Sequence, residues 1–381
     1  MTARRLESVQ EYYFSKKLRE VRGMVAAGKP VINMGIGSPD LPPPEEVVKA
    51  LVESMAHPTA NKYQSYQGIP ALREAMADFY KRSYGVTLNP ENEILPLLGS
   101  KEGIMHISMA FLNPGDKVLV PNPGYPTYTS VSRLVEADPV FYNLDADHGW
   151  QPNFAELNQL DCSNIRLMWV NYPHMPTGAS ASDDTLSKLV AWAKQNDIIL
   201  VNDNPYSFVL TDNPLSILDG LEDKSHLMEL NSLSKSFNMA GWRIGMLSGS
   251  KENIANVLKV KSNMDSGMFY GIQHGAIAAL RQPASWFDGI NKIYRERRER
   301  IWELAETMGC QFDKNNSGMF VWAKLPSGQI DSEAFIDQLL QEKNIFLAPG
   351  TIFGTAGAGY IRFSLCVPVE QINEAIIRWK G

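Results

Sequence analysis

The chain has 381 residues, which is too long for one small core and predicts about two or three domains. Hydrophobic residues make up 44% and charged residues 20%, a globular composition that excludes a disordered chain. Because 36 basic residues face 42 acidic ones, the formal net charge is −6, which argues against a nucleic acid or an anionic membrane as main partner.

The region between about residue 45 and residue 250 alternates helical periodicity with short apolar runs. In chain order, its predicted elements are a helix at 72–79, strands at 117–121 and 165–171, a helix at 186–193, and strands at 198–203 and 227–230. Strands that alternate with helices favour a mainly parallel sheet with helices on both faces. We therefore predict an α/β fold for this region.

Polar residues follow three of these predicted strands at the point where each strand ends. Asn171 and Asp203 end two strands that are joined by one helix, and the next strand leads to Ser232 and Lys235. Strands joined by a single crossover helix run parallel, so these residues should meet at one carboxyl edge of the sheet. Ligands of open α/β sheets bind at that edge, which makes it the predicted site.

After about residue 270 the pattern changes to helical stretches followed by strand-like runs, the last of them at 360–365. This pattern predicts a second, smaller α+β domain that the N-terminal segment completes. The predicted boundaries are residues 46–272 for the large domain, and residues 1–45 together with 273–381 for the small domain.

The segment from Ser232 to Gly245 is the most informative part of the sequence, because Lys235 stands there among small hydroxyl residues. A lysine that forms a Schiff base must lose its proton and approach a flat ring closely, which small neighbours allow. Ser232 and Arg243 suit a phosphate, since hydroxyl and guanidinium groups bind its oxygens directly.

This segment, together with Asn-Asp-Asn-Pro-Tyr at 202–206, resembles the fold-type I, pyridoxal-phosphate-dependent aminotransferases of class I and II over nearly the full chain. The resemblance implies that Lys235 carries pyridoxal 5′-phosphate as an internal aldimine and moves a proton during the reaction. It also implies that Asp203 pairs with the protonated pyridine nitrogen and that Tyr206 donates to the phenolic oxygen. A carboxylate at that nitrogen keeps the ring cationic, which makes it a better sink for carbanion electrons.

The run Gly-Ser-Lys-Glu-Gly at 99–103 precedes a predicted helix. Small residues that open a helix present backbone N–H groups to an anion, which fits a phosphate. The resemblance assigns Ser100 and Lys101 to the cofactor phosphate, together with Ser232 and Arg243.

Further members of the cofactor site follow from the resemblance alone. It implies that Tyr125, in Pro-Asn-Pro-Gly-Tyr-Pro, stacks on the ring face and that Asn171 belongs to the same site. It implies that Tyr63 reaches the phosphate held by a neighbouring subunit. A residue supplied by a neighbour implies a homodimer with a shared active site.

The substrate residues implied by the resemblance are Arg362 and Gly37. Arg362 matches the arginine that binds the substrate α-carboxylate, and a guanidinium suits that task because it donates two parallel hydrogen bonds. An arginine in an otherwise apolar strand would also be costly to bury without a partner. The segment 35–40 resembles the N-terminal substrate segment, in which Gly37 offers its backbone to the same carboxylate.

One position departs from the family pattern. The family reads N-x-P-N-N-P-T-G, whereas this chain has Asn-Tyr-Pro-His-Met-Pro-Thr-Gly at 171–178. Met175 replaces an asparagine that donates to the phenolic oxygen, and His174 stands one residue too early to replace it. We predict that the loss of this donor raises the pKa of the internal aldimine.

Two other segments have weaker interpretations. The run Tyr-Arg-Glu-Arg-Arg-Glu-Arg at 294–300 contains interleaved acidic residues, and flanking apolar residues supply a buried side, so we expect a solvated helix face rather than a nucleic-acid site. The segment 261–269 resembles one in LL-diaminopimelate and related aminotransferases, where it lies near the substrate side chain.

The implied function is transfer of an amino group from an L-amino acid to a 2-oxo acid, in amino acid metabolism. A fold-type I lyase, either a carbon–sulfur lyase or an aminocyclopropane-carboxylate-forming enzyme, shares every cofactor residue and remains open. A non-catalytic pyridoxal-phosphate sensor would carry a helix-turn-helix, for which we expect no room before residue 30. Aspartate, diaminopimelate, aromatic, methionine and alanine donors all remain open.

The three cysteines, Cys162, Cys310 and Cys366, are far apart and form no C-x-x-C pair. This usage predicts neither a disulfide framework nor a thiolate metal site, and the histidines lack ligand spacing, so we expect no metal. No apolar run approaches the roughly 18 residues that span a bilayer, and the N-terminus lacks the apolar region of a secretory signal. We expect a cytoplasmic enzyme that binds no membrane.

Overall fold

The computed structural model describes residues 2–9, 13–329 and 331–381. Its strands are β1 (Ile32–Asn33), β2 (Ile94–Leu97), β3 (Lys117–Asn122), β4 (Asp138–Asn143), β5 (Ile165–Val170), β6 (Ile199–Asp203), β7 (Leu227–Ser232), β8 (Gly245–Gly249), β9 (Gln311–Phe312), β10 (Phe320–Lys324), β11 (Ile345–Phe346), β12 (Ala348–Pro349) and β13 (Tyr360–Ser364). Its α-helices are α1 (Tyr13–Ala26), α2 (Glu45–Ser54), α3 (Pro70–Tyr84), α4 (Ser100–Phe111), α5 (Pro126–Leu134), α6 (Phe154–Leu157), α7 (Asp183–Gln195), α8 (Leu233–Ser236), α9 (Lys251–Lys261), α10 (Tyr270–Leu280), α11 (Ala284–Thr307), α12 (Ser332–Lys343) and α13 (Val369–Lys380).

A seven-stranded sheet in the order β2-β8-β7-β6-β5-β3-β4 organises the larger part of the described chain. All neighbouring strands pair in parallel except β8, which runs antiparallel to β2 and β7. The predicted α/β fold with a mainly parallel sheet is therefore confirmed. Since β5, β6 and β7 are parallel, the residues that follow them lie at one edge of the sheet.

The helix α3 shows how the sequence builds an element that covers this sheet. Pro70 occupies the first turn, where its missing N–H costs nothing. Leu72, Met76 and Phe79 form the buried stripe, and burial of each such side chain contributes about 1.5–3 kcal/mol. Gly85 ends the helix with a left-handed φ of 73°, a conformation that glycine adopts without strain. The helix predicted at 72–79 is confirmed.

A second, four-stranded antiparallel sheet has the order β12-β13-β10-β9. The N-terminal strand β1 pairs in parallel with β11, which brings the N-terminal segment to the C-terminal part of the chain. A separate core cluster surrounds this sheet and supports the proposed division into 46–272 and 1–45 with 273–381, which stays a prediction.

The arginine-rich helix α11 corrects one expectation. Arg295 and Glu296 are exposed, as a solvated face requires, but Arg297 is buried. Its guanidinium pairs with Asp40 of the N-terminal segment, which offsets the cost of removing the charge from water. The prediction of a solvated face is therefore wrong for Arg297.

Within the described residues, none of the helices combines the length and the apolar character that crossing a membrane requires.

Candidate active site

A cavity of about 540 Å³ lies at the carboxyl edge of the seven-stranded sheet and is lined by residues of both sheets. Among the predicted site residues, all of which the structure describes, it brings together Gly37, Ser100, Lys101, Tyr125, Asn171, Asp203, Tyr206, Ser232, Lys235, Arg243 and Arg362. Tyr63 lies outside the cavity and is 89% exposed. The role implied for Tyr63 concerns a neighbouring subunit, so a single chain leaves it a prediction.

Lys235 extends into the cavity from the short helix α8, directly after β7. Its Nζ donates a hydrogen bond to the carbonyl oxygen of Gly37. Burial lowers the pKa of Lys235, and the positive charges of Arg362 and Arg243 lower it further, against an opposing effect of Cys366. A lowered pKa favours the free amine, which is the nucleophilic and basic form.

Asp203 ends β6 and is 5% exposed. Its Oδ2 accepts a hydrogen bond from the hydroxyl of Tyr128 at 2.9 Å, whereas Oδ1 is buried and has no hydrogen-bond partner in the described part of the chain. Burial raises the pKa of Asp203 to about 6, and the hydrogen bond from Tyr128 opposes the rise. A buried oxygen without a donor is costly, so this carboxylate fits a ligand N–H such as a protonated pyridine nitrogen.

Tyr128 is a lining residue that the sequence analysis missed. It lies one turn after Tyr125 on α5 and stacks on Trp169 with ring centroids 5.0 Å apart. Its sequence surroundings carry no signal beyond helical spacing, because its partner Asp203 is 75 residues away. Tyr128 holds the Asp203 carboxylate in one orientation from the side opposite to the free Oδ1.

The N-terminus of α4 forms the positively charged end of the cavity. Gly99 precedes the helix with φ of 95°, and a Cβ there would overlap the guanidinium of Arg243. Burial and the nearby charge of Arg243 lower the pKa of Lys101. A phosphate fits this end of the cavity. It would be bound there by the helix N–H groups, the Ser100 and Ser232 hydroxyls, and the cations Lys101 and Arg243.

Arg362 lies at the other end of the cavity and is 4% exposed. Its guanidinium carbon lies 3.9 Å from the ring centre of Phe320 and 4.6 Å from that of Phe353. Nη2 donates to the Gly35 carbonyl at 2.8 Å, and Nη1 contacts the Met175 sulfur at 3.3 Å. A thioether is a weak acceptor, so a substrate carboxylate would be a stronger partner for Nη1.

Met175 and His174 occupy different surroundings in the loop after β5. The backbone N–H of Met175 donates to the Asn171 side chain at 2.8 Å, and Asn171 donates to the backbone of Asp203. Met175 lines the cavity. His174 lies outside the lining, bonds to Thr177 at 2.8 Å, and has a pKa that burial lowers to about 3. Its ring therefore does not replace the missing donor at the cavity.

Three groups that could ligate a metal lie apart from the cavity lining. Glu102, His106 and Asp265 bring one ligand-type atom each within 4.8 Å of one another. The ammonium of Lys261 is 2.8 Å from Asp265 and already balances one of the two carboxylates. The expectation of no metal stays a prediction.

Comparison with known proteins extends this picture. A family model for aminotransferase class I and II matches residues 29–378. The LL-diaminopimelate aminotransferases of Aquifex aeolicus and Dehalococcoides mccartyi are 38% and 39% identical, and the matches cover 99% of this chain and 98% and 97% of the relatives. The apo structure of BacF from Bacillus subtilis superposes with a TM-score of 0.96 at 36% identity, and the match covers 100% of this chain and 98% of that chain.

The fold and the cavity together define a fold-type I transferase that uses pyridoxal phosphate. The chain belongs to the class I and II aminotransferases, as the resemblance in its motifs implied. It moves an amino group from an amino acid to a 2-oxo acid, and nothing in the comparisons favours the lyase alternative.

Proposed function

We propose that the cavity is the active site of this aminotransferase and that Lys235 is its catalytic residue. The observation that supports the proposal is that a lysine with a lowered pKa, a buried carboxylate, an anion site and an arginine line one cavity. Each of these groups meets one need of a reaction at the α-carbon of an amino acid.

Pyridoxal phosphate, when bound, supplies an electron sink for the electron pair left on the substrate α-carbon. Asp203, as a carboxylate, stabilises positive charge at the ring nitrogen. Ser100, Ser232 and Arg243 bind the phosphate together with the N-terminus of α4. Lys101 would join them at the phosphate, Tyr125 would stack on the ring face, Tyr206 would donate to the phenolic oxygen, and Asn171 would complete this site.

Substrate handling falls to Arg362 and Lys235 in this proposal. Arg362 binds the α-carboxylate of each substrate in turn and thereby orients the α-carbon toward Lys235. Lys235, as a free amine, accepts the proton from that carbon at Nζ and releases it again. The rings of Phe320 and Phe353 exclude water from the guanidinium and strengthen its interaction with the carboxylate.

We further propose LL-diaminopimelate as the amino donor. The support comes from relatives with that activity in their names, which are 35–39% identical to this chain over nearly its whole length. The likeness of the segment 261–269 to the substrate-side segment of such enzymes agrees with this choice.

A donor panel tests the substrate proposal. The purified protein, loaded with pyridoxal phosphate, is incubated with 2-oxoglutarate and with LL-diaminopimelate, aspartate, alanine, methionine or phenylalanine. We expect glutamate to form with the highest kcat/KM from LL-diaminopimelate, and Lys235→Ala to form none. A higher kcat/KM with another donor would contradict the substrate proposal and leave the catalytic role of Lys235 intact.

We also propose a homodimer in the cytoplasm. Large apolar side chains are exposed on α2 and on the segments near α10, namely Val48, Val52, Tyr63, Met264 and Phe269. The helices α2 and α10 pack against each other and the backbone of Gln64 lies beside Gly267, so these side chains belong to neighbouring elements. A contiguous apolar patch on a surface is typical of a protein interface. The cytoplasm is supported by the cysteines, all three of which are free.

A further inference from the structure

A short N-terminal segment, residues 35–40, contacts both Arg362 and Lys235. The Gly35 carbonyl accepts a hydrogen bond from Arg362 at 2.8 Å, and the Gly37 carbonyl accepts one from Lys235. The segment therefore links the group that binds the substrate carboxylate to the group that moves the proton. A shift of its backbone changes both contacts at once.

Close packing leaves this segment without side chains at its two contact points. A Cβ at Gly35 would lie 2.6 Å from the Phe346 ring, and one at Gly37 would overlap the Phe320 ring. Glycine is therefore required at both positions, and glycine gives the backbone more freedom than any other residue. The position of such a segment has to be fixed by its ends.

The start of the segment is fixed by backbone pairing. The N–H of Met34 donates to Phe346 at 2.9 Å, and the carbonyl of Met34 accepts from the Ser364 N–H at 2.8 Å. These bonds continue the pairing of β1 with β11 and attach the segment to the end of β13.

The end of the segment is fixed by an ion pair between the buried Arg297 and the partly exposed Asp40. The Arg297 guanidinium donates from Nη1 to Asp40 Oδ1 at 2.6 Å and from Nη2 to Oδ2 at 2.8 Å. Nη1 also donates to the carbonyl of Leu365 at 3.0 Å, three residues after Arg362. Two parallel charge-assisted bonds fix direction as well as distance, and the guanidinium side of the pair is buried because Arg297 is 4% exposed.

We propose that Arg297 and Asp40 are positioning residues for transamination. Their ion pair, the Asp40–Arg297 clamp, holds Gly35 and Gly37 in register, so that Arg362 and Lys235 keep their relative placement when a carboxylate arrives. This inference rests on the proposed function, because it takes Arg362 as the carboxylate group and Lys235 as the catalytic one. Neither Asp40 nor Arg297 lines the cavity.

Arg297→Lys and Asp40→Asn test the clamp with small changes. Arg297→Lys keeps the positive charge but loses the two parallel N–H donors, and Asp40→Asn keeps the shape of the side chain but loses its negative charge. We expect KM for the amino donor and for the 2-oxo acid to rise roughly tenfold in both variants, since both carboxylates use Arg362. Hydrogen exchange of the amides in 35–40 should accelerate, and the double variant should resemble each single variant.

Arg300→Lys is the matched control on the same helix. Arg300 bonds to Asn373 and Glu303 and does not line the cavity, so its replacement should leave both KM values and the exchange of 35–40 unchanged. Faster exchange in the clamp variants with unchanged KM values would overturn the proposal, as would a lowered Tm with no change in exchange. If the wild type itself forms no glutamate, the proposed function is wrong. If the wild type forms glutamate and the clamp variants have its KM values, the proposed function stands and only the proposed role of the clamp is wrong.

Discussion

The burial of the Asp203 carboxyl group suits it to bind a cationic ring nitrogen but lowers the free energy of unfolding of the apoprotein. Its buried Oδ1 without a donor is suited to a cationic ring nitrogen, yet in the apoprotein the same burial raises the pKa of Asp203 to about 6. A carboxyl whose pKa is higher in the folded than in the unfolded state destabilises the fold above the folded pKa. The penalty disappears as the pH falls below the unfolded value of 3.8.

Asp203→Asn should therefore stabilise the apoprotein at pH 8, by about 3 kcal/mol on the order-of-magnitude conversion between pKa and free energy. The gain should shrink between pH 6 and pH 4, because the wild-type carboxyl becomes protonated there. Urea unfolding of both apoproteins at the two pH limits measures the difference. Equal gains at pH 8 and pH 4 would show that the charge is not its cause.

Tyr128→Phe should raise the pKa of Asp203 further, because the hydrogen bond that opposes the rise is lost. The phenyl ring introduced by this substitution would keep the stacking on Trp169, so the change removes little besides the hydroxyl. The affinity of the apoprotein for pyridoxal phosphate should then decline at a higher pH than in the wild type as the solution is acidified. A fluorescence titration of cofactor binding from pH 5 to pH 8 gives both curves, and coincident curves would contradict the role of Tyr128.

At the scale of elements, the cavity depends on where helices begin and strands end. The N-terminus of α4 can face an anion because Gly99 has no Cβ in the space taken by the Arg243 guanidinium. Arg243 itself adopts a left-handed φ of 55°, and its guanidinium lies against Gly99 at the start of α4. The loop before α4 and the turn after α8 thus fit each other.

Gly99→Ala should weaken cofactor binding at least tenfold, since the added Cβ displaces Arg243 and strains a backbone with positive φ. Gly115→Ala is the matched control, because Gly115 has a similar φ of 86° but nothing within 4 Å of the added atom. Dialysis against pyridoxal phosphate with detection at the visible band compares the two. If both variants lost the same affinity for pyridoxal phosphate, backbone strain alone would explain the loss, and the displacement of Arg243 would not be its cause.

The elements and most of the cavity were predictable because their signals are local. Alternating periodicities indicated the parallel sheet, and Lys235, Asp203 and Arg243 lie in short motifs at strand ends. Tyr128 and Arg297 were not predictable in this way, because each acquires its role from a partner far along the chain. Asp40 is 257 residues from Arg297. Arg297 lies at helical spacing from the buried Ile290 and Ile301, and only its place in a run of charged residues made it a predicted surface residue.

At the scale of the whole molecule, Tyr63 is the residue that a single chain leaves unexplained. Its side chain is 89% exposed, and it does not line the cavity of its own chain. If two copies exchange this residue, each cavity contains parts of both chains.

Mixing two damaged variants tests the shared site. Tyr63→Ala and Lys235→Ala should each form glutamate slowly or not at all, and subunit exchange at equal amounts should restore about a quarter of the wild-type activity, since half of the dimers then carry one intact site of two. Sedimentation of the mixture checks that dimers form. Activity no higher than the mean of the separate variants would contradict the shared site.

The pairing of β1 with β11 also bears on how the enzyme is made. Ile32 is translated long before its partner Ile345. Until then the segment that contacts Lys235 and Arg362 has no strand to join, and pairing over so long a stretch is slow once it becomes possible. A nascent chain can therefore complete its large sheet, whose last strand ends at Gly249, and still lack a working cavity. Catalytic competence follows only after Ile345 has been made and has paired with Ile32.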